Sequence, residues 1–132
     1  MTRASLVFLL AVATTSAQPA DIKNDGNHLL EQCKVAIEND MVARHTMEVG
    51  ICMGYLWGFR DAVTIRDTTV ALTVGKTGKI PIEKTYCLPA SGISNAQAAR
   101  IVVNYLEHNP QLLHLHRALV TMAALSNAFP CN

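Results

Sequence analysis

The sequence has little charge and few aromatic residues. Of its 132 residues, only 16% are Asp, Glu, Lys or Arg, and only 5% are aromatic. The 11 basic residues nearly balance the 10 acidic ones, so the formal net charge is +1. This balance gives no electrostatic reason to expect a nucleic-acid partner, because such binders usually carry a strong basic surplus. Half of the residues are hydrophobic, which excludes a disordered chain and predicts a folded domain.

Long hydrophobic runs are also missing beyond the N-terminus. Residues 6–13 are all apolar, follow the basic Arg3 and precede the small residues Thr15, Ser16 and Ala17. This order is typical of a secretory signal peptide, here residues 1–17. The apolar run itself is too short for a membrane-spanning helix. We therefore expect residues 18–132 to form a single domain that is exported to the periplasm and has no membrane span.

The four cysteines, Cys33, Cys52, Cys87 and Cys131, lack the CxxC spacing of zinc sites. An even number in an oxidising compartment predicts disulfide bonds, for which three pairings can be drawn. Cys33 and Cys52 lie on either side of a predicted turn near Val42. Cys87 and Cys131 flank a predicted pair of helices. This geometry favours the pairs Cys33–Cys52 and Cys87–Cys131.

Apolar residues at helical spacing predict an all-α fold, a small disulfide-stapled bundle of four to five helices built from two helical hairpins. The predicted helices cover residues 24–40, 45–66, 95–108 and 110–127. Residues 67–74 are rich in Thr and Val and fit either a helix or a strand. Ser94 and Gln97 fit a capping box, and Asn109 with Pro110 fits the start of the last helix, in which Leu119 and Met122 continue the apolar pattern.

Three glycines repeat at intervals of four residues along one helix face: Gly50, Gly54 and Gly58. Each costs about 1 kcal/mol of helix stability relative to alanine, so a packing partner must compensate. We expect these helix-packing glycines to meet another helix or a large side chain of the same domain, with a dimer seam as the alternative. Tyr55, Trp57 and Phe59 cannot all face one core, so at least one is expected to be exposed or in an interface.

Signatures of catalysis are missing. The chain has no GxSxG, and no free thiol remains once the cysteines pair. His114 and His116 point in opposite directions on a helix, and no acidic residue is placed to complete a metal site. We expect no catalytic residue, no metal and no cofactor, and we expect Arg60 and Asp61 to form an ordinary ion pair.

Three blocks of the sequence resemble the Rap/Tai family of periplasmic immunity proteins of type VI secretion systems. Residues 52–61 resemble its C-x-G-Y-x-x-G-x-x-D signature, residues 87–110 its second block, and residues 124–131 its third. The resemblance implies a compact disulfide-bonded helical bundle, often a homodimer. It also implies a protein that sterically blocks a toxic effector, in the best-known branch an amidase that cleaves peptidoglycan.

The longest polar connection is the candidate effector-binding loop, because functional contacts concentrate on loops held by rigid scaffolds. Its candidate residues are Lys76, Thr77, Gly78, Lys79, Glu83 and Lys84. The same segment could equally be a plain linker between two hairpins. Two other functions remain open at this point: a periplasmic carrier of a small hydrophobic ligand, and an acid-stress chaperone driven by histidine and carboxylate protonation.

Overall fold

The computed structural model describes residues 24–38, 47–74 and 84–131, so the predicted signal peptide lies outside the described residues. The helices, in chain order, are α1 (Gly26–Glu38), α2 (Met47–Val74), α3 (Asn95–His108), a short 3-10 helix (Pro110–Leu112) and α4 (Arg117–Ala128). Within the described ranges the only β-type pairing is one isolated bridge, between Asp25 and His116. The predicted all-α class is therefore confirmed, and residues 67–74 are helical, as the C-terminal part of α2.

The hydrophobic core lies where α1 and α3 pack against each other and against α2 and α4. Its fully or almost fully buried members are Leu29, Cys33 and Ala36 of α1, Cys52 and Leu56 of α2, Ala98, Ala99, Val102, Val103 and Leu106 of α3, and Val120 and Ala124 of α4. Several of these are alanines, which allow neighbouring helices to approach closely. The apolar spacing seen in the sequence of α1 and α3 therefore corresponds to their buried faces.

Two disulfide bonds staple this core in the pairing that the sequence favours. Cys33 is joined to Cys52, which links α1 to α2, and Cys87 is joined to Cys131, which links the segment before α3 to the segment after α4. The bonds close loops of 19 and 44 residues. Loops of this size correspond to about 3 and about 4 kcal/mol of stabilisation in the chain-entropy model.

The start of α3 also follows the sequence pattern. Ser94 is the N-cap residue, and its hydroxyl accepts a hydrogen bond from the backbone amide of Gln97 at 3.1 Å. This bond satisfies one of the amides that a helix start leaves without an intrahelical partner.

The last helix begins later than predicted. The expected helix over residues 110–127 is divided into the 3-10 helix at Pro110–Leu112 and α4, which begins at Arg117. The Nδ1 atom of His116 accepts a hydrogen bond from the amide of Ala118 at 3.2 Å, so His116 caps α4. Leu119 and Met122, expected on the inner face, are 51% and 39% exposed.

The first turn of α1 explains this break. The amides of Gly26 and Asn27 donate to the carbonyls of Leu115 and Leu113 at 3.0 and 3.1 Å. These carbonyls would otherwise accept from amides of a continuous last helix. α1 uses them to satisfy its own unpaired N-terminal amides, which favours the break in the helix at residues 113–116.

Candidate protein-binding surface

Helix α2 packs on the bundle with one face only. Of its residues, Cys52 and Leu56 alone are buried. On the opposite side lie exposed residues that we call the outer face of α2: Met47, Gly50, Ile51, Gly54, Trp57, Gly58, Asp61, Ala62, Thr64, Ile65, Thr68, Thr69 and Leu72. The outer face therefore runs along almost the whole helix.

The outer face of α2 is almost uncharged. Asp61 is its one charged residue, whereas the exposed side of a helix normally carries charged side chains. Large apolar side chains are open to solvent there, with Trp57 62%, Ile65 65% and Leu72 65% exposed. Contiguous exposed apolar surface of this kind marks protein–protein contact sites.

The glycine stripe lies on this outer face, where the described residues do not pack against it. Gly50, Gly54 and Gly58 are all exposed. A Cβ atom added to any of them would meet no described atom within 4 Å. The glycines lie on the side of α2 away from Cys52 and its disulfide, so none of the described helices covers them. Packing within the domain and a contact between molecules both stay predictions for this stripe.

The three neighbouring aromatic residues divide between the two sides of α2. Tyr55 is half-buried. The guanidinium of Arg117 lies 4.3 Å from the centre of the Tyr55 ring, and the Tyr55 hydroxyl lies 3.4 Å from the hydroxyl of Thr121. Burial raises the pKa of the Tyr55 phenol above its usual value of 10.0. Phe59 lies beside it with ring centres 6.1 Å apart. The exposed Trp57 confirms that one aromatic residue of the three is available to a partner.

Arg60 fixes the rotation of α2 rather than pairing with Asp61 as expected. Its guanidinium donates to the side-chain oxygen of Asn95 at 2.7 Å and to the carbonyl of Ile93 at 2.8 Å. Both acceptors lie at the start of α3, which attracts Arg60 inward and leaves Asp61 exposed on the other side. The inward arginine and the buried disulfide together hold the outer face toward solvent.

A groove of about 460 Å³ follows the C-terminal half of α2. Its lining residues are Val63, Thr64, Asp67, Thr68, Ala71, Leu72, Lys84, Tyr86, Cys87 and Leu88. Of the candidate effector-binding residues only Lys84 is described, and it is exposed at this groove. Lys76, Thr77, Gly78, Lys79 and Glu83 lie outside the described residues.

The described ranges contain neither a metal-binding cluster nor a membrane-spanning helix. Among residues 24–38, 47–74 and 84–131, no three His, Cys, Asp or Glu side chains are grouped so as to hold a metal ion. None of the helices described there has the length and apolar character required to cross a membrane.

The fold and the surface together define a class: a small all-α domain, held by two disulfides, with an open apolar helix face. Stable disulfides are typical of proteins in extracellular or periplasmic compartments. The model of the family described as Rap1a immunity proteins matches residues 25–131, and the chain belongs to this family. Comparison with the curated proteins and with the solved structures gives no match. Family membership confirms the resemblance seen in the sequence and makes this an immunity protein against a secreted effector.

Proposed function

We propose that the protein protects its producer by binding a peptidoglycan amidase delivered by type VI secretion and sterically blocking the amidase's active site in the periplasm. The observation that carries this proposal is the family match over residues 25–131, which spans all four helices and both disulfides. The protein acts by occupying the effector's cleft, without chemistry of its own. A predicted signal peptide at residues 1–17 would deliver it to the compartment that contains peptidoglycan.

The proposed contact with the effector is the loop that follows α2. Loops held between rigid elements carry many binding contacts, and this one connects the two disulfide-stapled hairpins. Lys84, its last residue, is exposed beside the groove along α2. The proposed contact residues are Lys76, Thr77, Gly78, Lys79, Glu83 and Lys84.

The loop can be tested with an amidase encoded beside the gene, purified and assayed on isolated peptidoglycan. Replacing Gly78, Lys79 and Ile80 with serine should abolish inhibition and protection while leaving the thermal melt unchanged. Lys84→Ala should weaken binding, whereas Arg100→Ala, which removes an exposed cation from α3, should not. Inhibition that survives the serine replacement would eliminate the loop as the contact.

The function itself has a separate test. A cell that lacks the gene should be killed by the amidase, and the purified protein should bind the amidase in the nanomolar range. Failure of both, together with a lipid that co-purifies with the protein, would favour a carrier of hydrophobic ligands. Suppression of aggregation only at acid pH would favour a chaperone.

A further inference from the structure

We propose that the groove between the C-terminal half of α2 and residues 84–88 binds an extended segment of the effector, in which a large apolar side chain stands next to a carboxylate. The inference rests on the proposed function and deepens it, because it states the chemistry of the effector surface that the immunity protein recognises. It also extends the contact from the proposed loop to α2.

Apolar side chains line both walls of the groove. Val63, Ala71 and Leu72 line it on α2, and Leu88 lines it on the opposite side. Leu72 is 65% exposed, so its side chain is open to an occupant. The volume of about 460 Å³ lies within the range of ligand sites, about 300–1,000 Å³. Large side chains that fill such pockets anchor many protein interfaces.

The groove has the length of a short extended peptide. Its wall on α2 reaches from Val63 to Leu72, which is roughly 14 Å of helix at about 1.5 Å per residue. An extended chain covers that distance in about four residues. Thr64 and Thr68 lie on the same wall, and their hydroxyl groups can hydrogen-bond to a peptide backbone, which a hydrocarbon chain cannot do.

The wall opposite α2 is held in place by the end of the chain. The hydroxyl of Ser126 donates to the carbonyl of Thr85, and the amide of Cys87 donates to the carbonyl of Phe129, both at 2.9 Å. The disulfide from Cys87 to Cys131 ties the same segment down covalently. Because the groove is already formed, little conformational freedom is lost when a partner binds there, which favours affinity.

The charges that line the groove favour an acidic occupant. Asp67 is the one acidic side chain among the described lining residues, and Arg66 pairs with it at 3.1 Å. Lys84 also lines the groove and is exposed, and no ion pair among the described residues engages it. One positive charge at the groove is therefore available to a carboxylate of the partner.

Arg60 adds a second positive charge close to the groove. Its guanidinium donates to neutral oxygens of Asn95 and Ile93, so neither hydrogen bond neutralises it. Burial raises the pKa of the Tyr86 phenol, which lines the groove, and the charge of Arg60 acts on the same phenol in the opposite direction. Together with Lys84, Arg60 makes the groove electropositive, and an acidic segment complements it.

The first experiment measures the affinity of the amidase for variants of the full disulfide-bonded protein. Ala71→Trp fills the groove from α2 and should weaken binding at least about tenfold. Thr68→Trp, at a second exposed lining residue, should do the same if Ala71→Trp lowers the thermal melt. Ala128→Trp is the matched control, because Ala128 is an exposed alanine at the end of α4 that does not line the groove. It should change the affinity by no more than about twofold.

The second experiment tests the acidic occupant on the wild-type complex. A water-soluble carbodiimide joins an ammonium group to a carboxylate in contact with it, forming an amide bond while the reagent takes up the water. Mass spectrometry should find Lys84 joined to an Asp or Glu of the amidase, within about two positions of a large apolar residue. Lys34, which pairs with Glu107 at 2.8 Å, is the internal control and should couple only within its own chain.

The possible results separate this inference from the proposed function. If the amidase does not bind the wild type, the function and the inference both fail. If it binds the wild type and Ala71→Trp equally, the immunity function stands and the groove is not a contact. Links that leave out Lys84, or that join it to a segment without a large apolar residue, would reject the proposed occupant. A co-purifying lipid that Ala71→Trp displaces, with amidase binding unchanged, would assign the groove to a hydrophobic ligand instead.

Discussion

At the scale of single residues, glycine has two opposite roles in this protein. At Gly26 the chain needs the missing side chain, because an added Cβ would lie 3.0 Å from the carbonyl oxygen of Leu113 and 3.1 Å from its Cα. Both atoms belong to backbone that also accepts hydrogen bonds from α1. At Gly54 an added Cβ meets no described atom within 4 Å, so nothing described in the chain requires glycine there.

This contrast predicts opposite effects of the same substitution. Gly26→Ala should lower the free energy of unfolding by about 1–3 kcal/mol, because α1 must move away from residues 113–115 and strain their hydrogen bonds. Gly54→Ala should raise it by about 0.5–1 kcal/mol, since alanine favours the helix. Urea denaturation at a concentration that keeps the protein monomeric measures both. Equal effects of the two substitutions would show that the close approach at Gly26 is unimportant.

The sequence predicted the role of a residue correctly where that role depends on residues close to it along the chain. Ser94 caps α3 because the capping bond reaches only three residues along the chain, and the cysteine pairing follows from the order of the helices. The roles of Gly26 and Arg60 could not be found this way. Gly26 depends on backbone 87 residues further on, and Arg60 on acceptors at positions 93 and 95.

At the scale of elements, the two disulfides differ in how solvent reaches them. Cys33 and Cys52 are completely buried between α1 and α2. Cys131, at the end of the chain, is exposed, and Cys87 is partly so. Thiol–disulfide exchange requires the attacking thiolate to reach a sulfur atom, so access decides which bond is reduced first under native conditions.

Mild reduction of the native protein should therefore open Cys87–Cys131 before Cys33–Cys52. Alkylation followed by mass spectrometry after increasing times with a phosphine or dithiol reductant gives the order. The paired variant Cys87→Ser/Cys131→Ser should keep the helical circular dichroism with about 4 kcal/mol less stability, the loop-closure value for its 44-residue separation. Earlier reduction of Cys33–Cys52 would mean that α1 and α2 separate more readily than their packing indicates.

The sequence predicted the existence of the helices better than their ends and faces. The apolar residues of α1 and α3 repeat with helical period, so their inner faces could be recognised. The start of α4 could not be recognised from the sequence, because it depends on the contact with α1. For the same reason the prediction that Leu119 and Met122 lie on the inner face was wrong. The spacing of the three glycines marked one face of α2 in the sequence. That spacing does not predict which residues, if any, pack against this face.

At the scale of the whole molecule, the blocks that carried the family resemblance mainly build the scaffold. Cys52, Cys87 and Cys131 form disulfides, and Tyr55 packs against α4. The sequence therefore predicted the family and the fold together. It could not predict the effector contact from the same blocks, because binding surfaces are not required to build the bundle and can change without unfolding it.

Two tyrosines, the buried Tyr86 and the half-buried Tyr55, make the whole fold sensitive to alkali. Burial raises the pKa of Tyr86, and likewise that of Tyr55, above the ordinary value of 10.0. The unfolded chain releases these protons at about pH 10, whereas the folded protein retains them to higher pH. Their contribution to stability is therefore complete below about pH 10 and is lost as the pH rises through the raised folded pKa values.

The free energy of unfolding should thus fall as the pH rises above about 10. Lys34 contributes in the same direction, because its hydrogen bond and ion pair with Glu107 raise its pKa. Denaturant titrations at several pH values measure the fall, and tyrosinate absorbance in the native protein reports the two phenols directly. The double variant Tyr55→Phe/Tyr86→Phe should lose less stability than the wild type over this range. An equal loss in the two proteins would place the alkaline sensitivity elsewhere in the molecule.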